Sequence, residues 1–289
     1  MSLLFDSFWR AVAYCLHPRV ILLSLLPLLL MAALALLLGY FFWERALDAV
    51  SAMIGSWHMM SAFVQWLDGI GFSGLKAAIA PLIVVFVSTP VIVVLALLAV
   101  ATMMTPAIVK LVAQRRFPSL QRSHGGSFVA GTFGAIGVTL VALIAMALSI
   151  PLWFIPPLVL IIPPLIWGWL TYRVMSYDVL AEHASRDERR ELIRRHRHSL
   201  FVIGIVSGYL GAAPSLVWVS GVMAVVLAPV LVPLAIWIYT LVFAFSALWF
   251  AHYALQALQA LRVEWAVVDA AASTAAPATP VPPPALPPA

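Results

Sequence analysis

Four long stretches of this chain contain no Asp, Glu, Lys or Arg: residues 20–43, 77–109, 125–172 and 199–261. Runs of that length have no place on the outside of a water-soluble domain. A soluble chain of 289 residues still exposes a large fraction of its surface and must cover it with polar groups. In lipid the demand is reversed. Every backbone N–H and C=O must be satisfied within the chain, and a helix does this for itself. A spanning helix needs about 20 residues. The first two stretches therefore fit one helix each, and the third and fourth each fit a helical hairpin. The sequence thus reads as an all-α, polytopic helical membrane protein with about six hydrophobic helical segments. Composition agrees: 64% of residues are hydrophobic and 9% charged, against about 25% charged in a typical soluble domain. The first stretch exceeds the roughly 7–15 apolar residues of a cleaved signal, so it reads as a retained span.

The charges that remain are unevenly placed. Arg10 and Arg19 precede the first stretch, and Lys110, Arg115, Arg116 and Arg122 follow the second. Arg173, Arg186, Arg189, Arg190, Arg194, Arg195 and Arg197 lie between the two hairpins, and Arg262 follows the last. Only Arg45 and Lys76 fall between the first two stretches. Basic loops stay in the cytoplasm, so both termini and both basic loops are expected there. Each hairpin then starts and ends inside, and the assignments agree with one another. The net charge of +5 reads as this topology signal, with no nucleic-acid partner implied.

Proline crowds the apolar stretches. Pro81, Pro90 and Pro106 lie in the second, Pro151, Pro156, Pro157, Pro163 and Pro164 in the third, and Pro214, Pro229 and Pro233 in the fourth. An interior proline removes a ladder hydrogen bond and crowds the preceding turn. Broken backbone at membrane depth survives only where protein or water covers it. Two readings follow: kinked spans with prolines near their turns, or hairpins that are re-entrant.

Between the first two stretches, Ala46, Val50, Met53, Trp57, Met60, Val64 and Leu67 recur at spacings of four and three. This region reads as an amphipathic helix on the outer surface, or packed across the spans. In the basic loop, Ser185 and Glu188 match a capping box. Acidic residues lead that segment and arginines trail it, as the helix dipole favours. The segment is expected to be a solvated helix that anchors topology, with contact to anionic headgroups as a second reading. The chain is expected to divide into a membrane domain, residues 1–262, and a disordered Ala/Pro-rich tail, residues 263–289.

Enzyme constellations are not apparent. The charge-free stretches hold no carboxylate, and no HExxH, GxSxG or phosphate loop appears. Asp178 and Glu182, spaced i, i+4 beside His183, read as salt-bridge partners. Cys15 is a lone cysteine, so no internal disulfide, metal ligand set or cofactor is expected. His252 reads as a hydrogen-bonded structural residue near the inner end of the last stretch. Passage of an anion calls for other groups. Broken helices present free N–H donors. Ser88 and Thr89 before Pro90, and Ser215 after Pro214, are candidate hydroxyl donors. Arg10 and Arg19 at the inner mouth are candidate oxyanion ligands, because guanidinium binds oxyanions bidentately. Gly204 and Gly208 form GxxxG, and Gly131, Gly134 and Gly137 share one helix. Such faces serve either internal packing or oligomerisation.

Three segments resemble the CysZ-type sulfate permease family, which shares the etoposide-induced-protein membrane domain. FWRAVAYCLHPRVILLSLLPLLL, with Arg10, Pro18, Arg19 and Pro27, resembles the family's opening. MMTPAIVKLVAQRRF, with Pro106, resembles its proline-started segment. YDVLAEHASRDERRELIRRHRHSLFVIG resembles its capped basic helix and return to the membrane. The resemblance covers about residues 1–262. It implies full spans plus partially penetrating hairpins, sulfate uptake across the inner membrane to feed cysteine synthesis, and a homo-oligomer. It also implies a sulfate site at Arg19 and, less directly, Arg10. The expected protein is therefore a multi-pass anion permease of the cell inner membrane, with the lipid bilayer and a small inorganic oxyanion such as sulfate as partners. The alternative is a non-transporting scaffold or accessory protein with the same fold.

Overall fold

A computed structural model describes residues 2–58, 62, 66, 69, 73–123, 128–212 and 228–275. Its helices are α1 (Ser2–Cys15), α2 (Pro18–Ser56), α3 (Ser73–Arg116), α4 (Phe128–Ser149), α5 (Pro156–Ala181), α6 (Arg186–Ala212) and α7 (Ala228–Ala275), with a 3-10 turn, Ile150–Phe154, joining α4 to α5. Five candidate spans are long and apolar enough to cross a membrane: Pro18–Ser56, Ala78–Ala96, Gly131–Phe154, Pro156–Ala181 and Val230–Ala271. The molecule is a polytopic α-helical membrane protein. The apolar part of α6 starts at Ser199, residues 213–227 of the same charge-free stretch are outside the described residues, and the rest of the stretch lies in α7.

Local sequence explains the helix ends. Pro18 occupies the first position of α2, where its missing N–H costs nothing. The residue before it, His17, is extended at φ −70° and ψ 132°, and its Nδ1 accepts from the Arg19 backbone N–H at 3.2 Å. The hairpin between α4 and α5 turns at Pro151, and Pro156 and Pro157 open α5. Pro163 and Pro164 lie inside α5, which continues through them. Ser185 and Glu188 close the expected capping box: the Ser185 N–H donates to Glu188 Oε2 at 2.7 Å and the Glu188 N–H to Ser185 Oγ at 3.2 Å.

Two expectations change. The separate surface helix over residues 46–67 is, as far as Ser56, the end of α2. Glu44, Arg45, Ala46 and Leu47 are good helix formers, so the charges that end the apolar stretch do not end the helix. At 39 residues, α2 is about 58 Å long, nearly twice a hydrocarbon core of about 30 Å. The expected disordered tail is helical from 263 to Ala275, and residues 276–289 lie outside the described residues.

The buried core gathers at one end of the bundle. It comprises Met104, Ile108 and Val112 of α3, Val179 and Leu180 of α5, Leu192, Leu200 and Ile203 of α6, and Leu248, Phe250, Leu255 and Leu258 of α7. Helix α7 is the centre of this core, packing on α1, α2, α3, α5 and α6. Elsewhere α2 to α5 carry an apolar exterior, with Leu36, Phe41, Phe86, Leu98, Leu148 and Phe154 all exposed. That distribution is what lipid-facing helices require.

Helices α5 and α6 meet backbone to backbone. A Cβ on Gly168 would lie 2.7 Å from the Ile205 Cα, and one on Gly208 2.6 Å from the Pro164 carbonyl oxygen. A Cβ on Gly204 would collide with the Gly168 carbonyl oxygen and approach Tyr172 Cβ at 2.8 Å. The GxxxG face therefore serves internal packing. Gly131 faces the Tyr177 ring, whereas Gly134 and Gly137 face open space.

Candidate functional site

The connections rich in arginine converge on the end of the bundle that holds the core. Arg262 of α7 is the main tie. Its Nε donates to Glu188 Oε1 at 2.7 Å and its Nη2 to Glu188 Oε2 at 3.1 Å. It also donates to the Gln121 carbonyl at 2.9 Å, the Ser123 hydroxyl at 2.9 Å and the His183 carbonyl at 2.6 Å. One guanidinium thus joins α7, the start of α6, the end of α5 and the loop after α3. Nearby, Arg195 bridges Glu191 on its own helix to Glu264 on α7, with Nη1 2.7 Å from Glu264 Oε2. Helix α6 is kinked at His196 (φ −105°, ψ 15°), whose Nδ1 lies 2.8 Å from the Tyr253 hydroxyl.

On the other side of α7, α1 delivers an acid to two arginines. Arg10 Nε is 2.9 Å from both Asp6 carboxylate oxygens, and Arg116 Nη2 is 2.9 Å from Asp6 Oδ2. Hydrogen bonds from Arg10 and then Arg116 hold the Asp6 carboxyl below the usual carboxylate range. Arg116 Nη2 also donates to Gln256 Oε1 at 2.9 Å, and its Nη1 lies 3.3 Å from His252 Nδ1. His252 is fully buried, with Tyr14 edge-on at 4.7 Å between ring centroids. It is a buried, hydrogen-bonded residue, as the sequence suggests. Helix α1 is held on α7 by apolar contacts as well. Phe8 packs against Phe245 and Trp249, and Trp249 Nε1 donates to Ser7 Oγ at 3.2 Å.

Arg19 opens α2 at this same end. Its side chain is exposed and has no ion-pair partner among the described residues. Protonation of the adjacent His17 is disfavoured, first by desolvation and then by the charges of Arg115 and Arg19. Arg10, Arg19, Arg115 and Arg116 therefore belong to one electropositive end, with Asp6 as the acid among them.

Ser88 and Thr89 are elsewhere. They lie on α3 roughly 40 Å along the helix axis from Arg116, at about 1.5 Å per residue. Both hydroxyls donate to the Val85 carbonyl, at 3.3 and 2.6 Å. Of the residues singled out from sequence, Arg10 and Arg19 share an end, Ser88 and Thr89 do not join them, and Ser215 is outside the described residues. Arg116 was counted only as a topology charge. Its link to Asp6 spans 110 residues of sequence and leaves no local pattern.

The fold and this end together define a class: a polytopic helical membrane protein with an apolar exterior and an arginine-rich end stitched around α7. The family model described as "Sulfate transporter CysZ/Etoposide-induced protein 2.4" matches residues 7–221. The chain belongs to that family. No curated protein and no solved structure matches it.

Proposed function

We propose that this protein is an anion permease of the cell inner membrane, carrying sulfate or a close oxyanion inward for cysteine synthesis. Both termini and the arginine-rich end are assigned to the cytoplasm, on the asymmetry of its basic residues. The observation that carries the reading, beside family membership, is Arg19. It is an exposed guanidinium without an ion-pair partner among the described residues, one position inside the N-terminus of a helix long enough to span the bilayer. The macrodipole of such a helix favours an anion at its N-terminus. A guanidinium there adds a two-point oxyanion ligand. Arg10, Arg115 and Arg116 raise the local anion concentration. Arg10 remains a secondary ligand of this site, and the Ser88, Thr89 and Ser215 hydroxyls remain candidates further along the path.

A homo-oligomer belongs to the same proposal. Gly134 and Gly137 face open space on α4, and such a face lets another helix approach closely. Cross-linking of the protein in native membranes tests this, and a purely monomeric product removes it. One observation favours a non-transporting scaffold instead: the Ser88 and Thr89 hydroxyls are already bonded within α3. Radiolabelled sulfate uptake into proteoliposomes separates the two. Uptake above protein-free vesicles supports the permease, and folded protein without uptake supports the scaffold.

A further inference from the structure

The cluster of Asp6, Arg10, Arg116, His252 and Gln256 adds a polar tie to α1, which Phe8, Ser7 and Trp249 also dock. Its chemistry is that of an anion site with an occupant. Two guanidiniums converge on one carboxylate, from Arg10 four residues along the same helix and from Arg116 on α3. A carboxylate presents two oxygens to such a pair much as a tetrahedral oxyanion presents two of its four.

The surrounding donors exceed the acceptors. Arginine can only donate, so the His252 Nδ1 that faces Arg116 is the acceptor nitrogen, and the ring carries its hydrogen on Nε2. That Nε2–H is buried and has no hydrogen-bond partner among the described residues. A buried donor without an acceptor is costly, but Nε2 is on the ring edge turned from Nδ1 and from Arg116, so an anion bound by Arg116 does not reach it. Asp6 is also displaceable. Its side chain is 40% exposed, whereas Arg116 is 17% exposed and also bonded to Gln256.

We propose that Arg116 and Arg10 form an inorganic oxyanion site at which the Asp6 carboxylate is a built-in competitor, displaced when sulfate binds. This deepens, and rests on, the anion-permease reading. Arg116 becomes a ligand in its own right, and Asp6 sets the concentration of sulfate at which the site fills.

The test is sulfate titration by calorimetry of full-length protein in detergent, for wild type, Asp6→Asn and Asp6→Asn with Arg116→Gln. Removing the competing charge from a partly exposed site should tighten sulfate about three- to tenfold. Adding Arg116→Gln should abolish that gain. Amide exchange on the wild type gives a second readout that needs no variant: sulfate should speed exchange in residues 2–15. Unchanged affinity in Asp6→Asn and unchanged α1 exchange, in protein whose wild type binds sulfate, would overturn the competitor and leave the permease standing. No sulfate binding by wild type or Asp6→Asn would sink the permease reading and this site with it.

Discussion

Arg262 and Glu188 face each other across the junction of α7 and α6 with two parallel contacts, Nε to Oε1 at 2.7 Å and Nη2 to Oε2 at 3.1 Å. Glu188 is 8% exposed, and it also caps α6 through Ser185. Removing the arginine would leave a largely buried carboxylate, the costly half of breaking such a pair. Arg262→Ala should therefore lower stability in detergent by about 2–4 kcal/mol, at the low end if water reaches the gap. A double-mutant cycle with Glu188→Gln measured by thermal unfolding checks this. Additive losses would show that the two residues do not act as a pair.

The same pair fixes an acid limit. Burial pushes the Glu188 carboxyl up, but hydrogen bonds from Arg262 and Ser185 outweigh it and leave it below the ordinary glutamate value. Glu191 is pushed down to about 2 by its hydrogen bonds to Arg194 and Arg195. A carboxyl whose folded pKa is depressed contributes its stability above the unfolded value, about 4.3 for glutamate, and loses it as pH falls through the folded one. The melting temperature should hold from pH 7 to about 5 and fall below about 4. Glu188→Gln should flatten part of that fall, with Glu191 supplying the rest.

The seam between α5 and α6 predicts opposite outcomes for similar changes. Gly168→Ala, Gly204→Ala and Gly208→Ala each place a methyl against backbone atoms that cannot yield. Overpacking of this kind costs about 1–3 kcal/mol, and more where backbone must shift. Within one protomer, Gly134→Ala and Gly137→Ala meet nothing within 4 Å and gain helix propensity of up to about 1 kcal/mol, while weakening the oligomer that the proposed close-approach face would form. Size-exclusion profiles and melting temperatures of the five variants check this ordering.

The kink in α6 at His196 carries a part-buried polar contact to Tyr253 of α7. Tyr253→Phe removes the hydroxyl 2.8 Å from His196 Nδ1 while keeping the ring. The loss should be about 1 kcal/mol. His196→Ala should cost more, because the edge-on ring contact at 5.6 Å goes with it. Thermal unfolding of both variants would show the difference.

How much of this was legible in the sequence depends on the range of the interaction. The charge-free stretches marked the span-bearing helices, because a helix in lipid must be apolar over its whole buried length. Ser185 and Glu188 announced their cap, because both partners lie within one turn. The end of α2 was misplaced, because Glu44 and Arg45 change solvation without breaking a helix. Gly204 and Gly208 were visible as a close-approach face, but the partner, Gly168, lies on another helix and has no motif of its own. The site divides in the same way. Arg10 and Arg19 stood out beside the first span, whereas Arg116, Asp6 and His252 meet only through tertiary packing, across 110 and 136 residues of chain.

The most direct measurement is radiolabelled sulfate entry into proteoliposomes holding wild type or Arg19→Ala at equal, folded density. Arg19 is exposed, so its replacement should leave the stability within about 0.5 kcal/mol of wild type. The account predicts that wild type admits sulfate well above protein-free vesicles and that Arg19→Ala loses at least about tenfold of that rate, as expected for a lost two-point charged contact. Sulfate entry at the wild-type rate through Arg19→Ala would contradict the site, and no entry through either protein would contradict the permease.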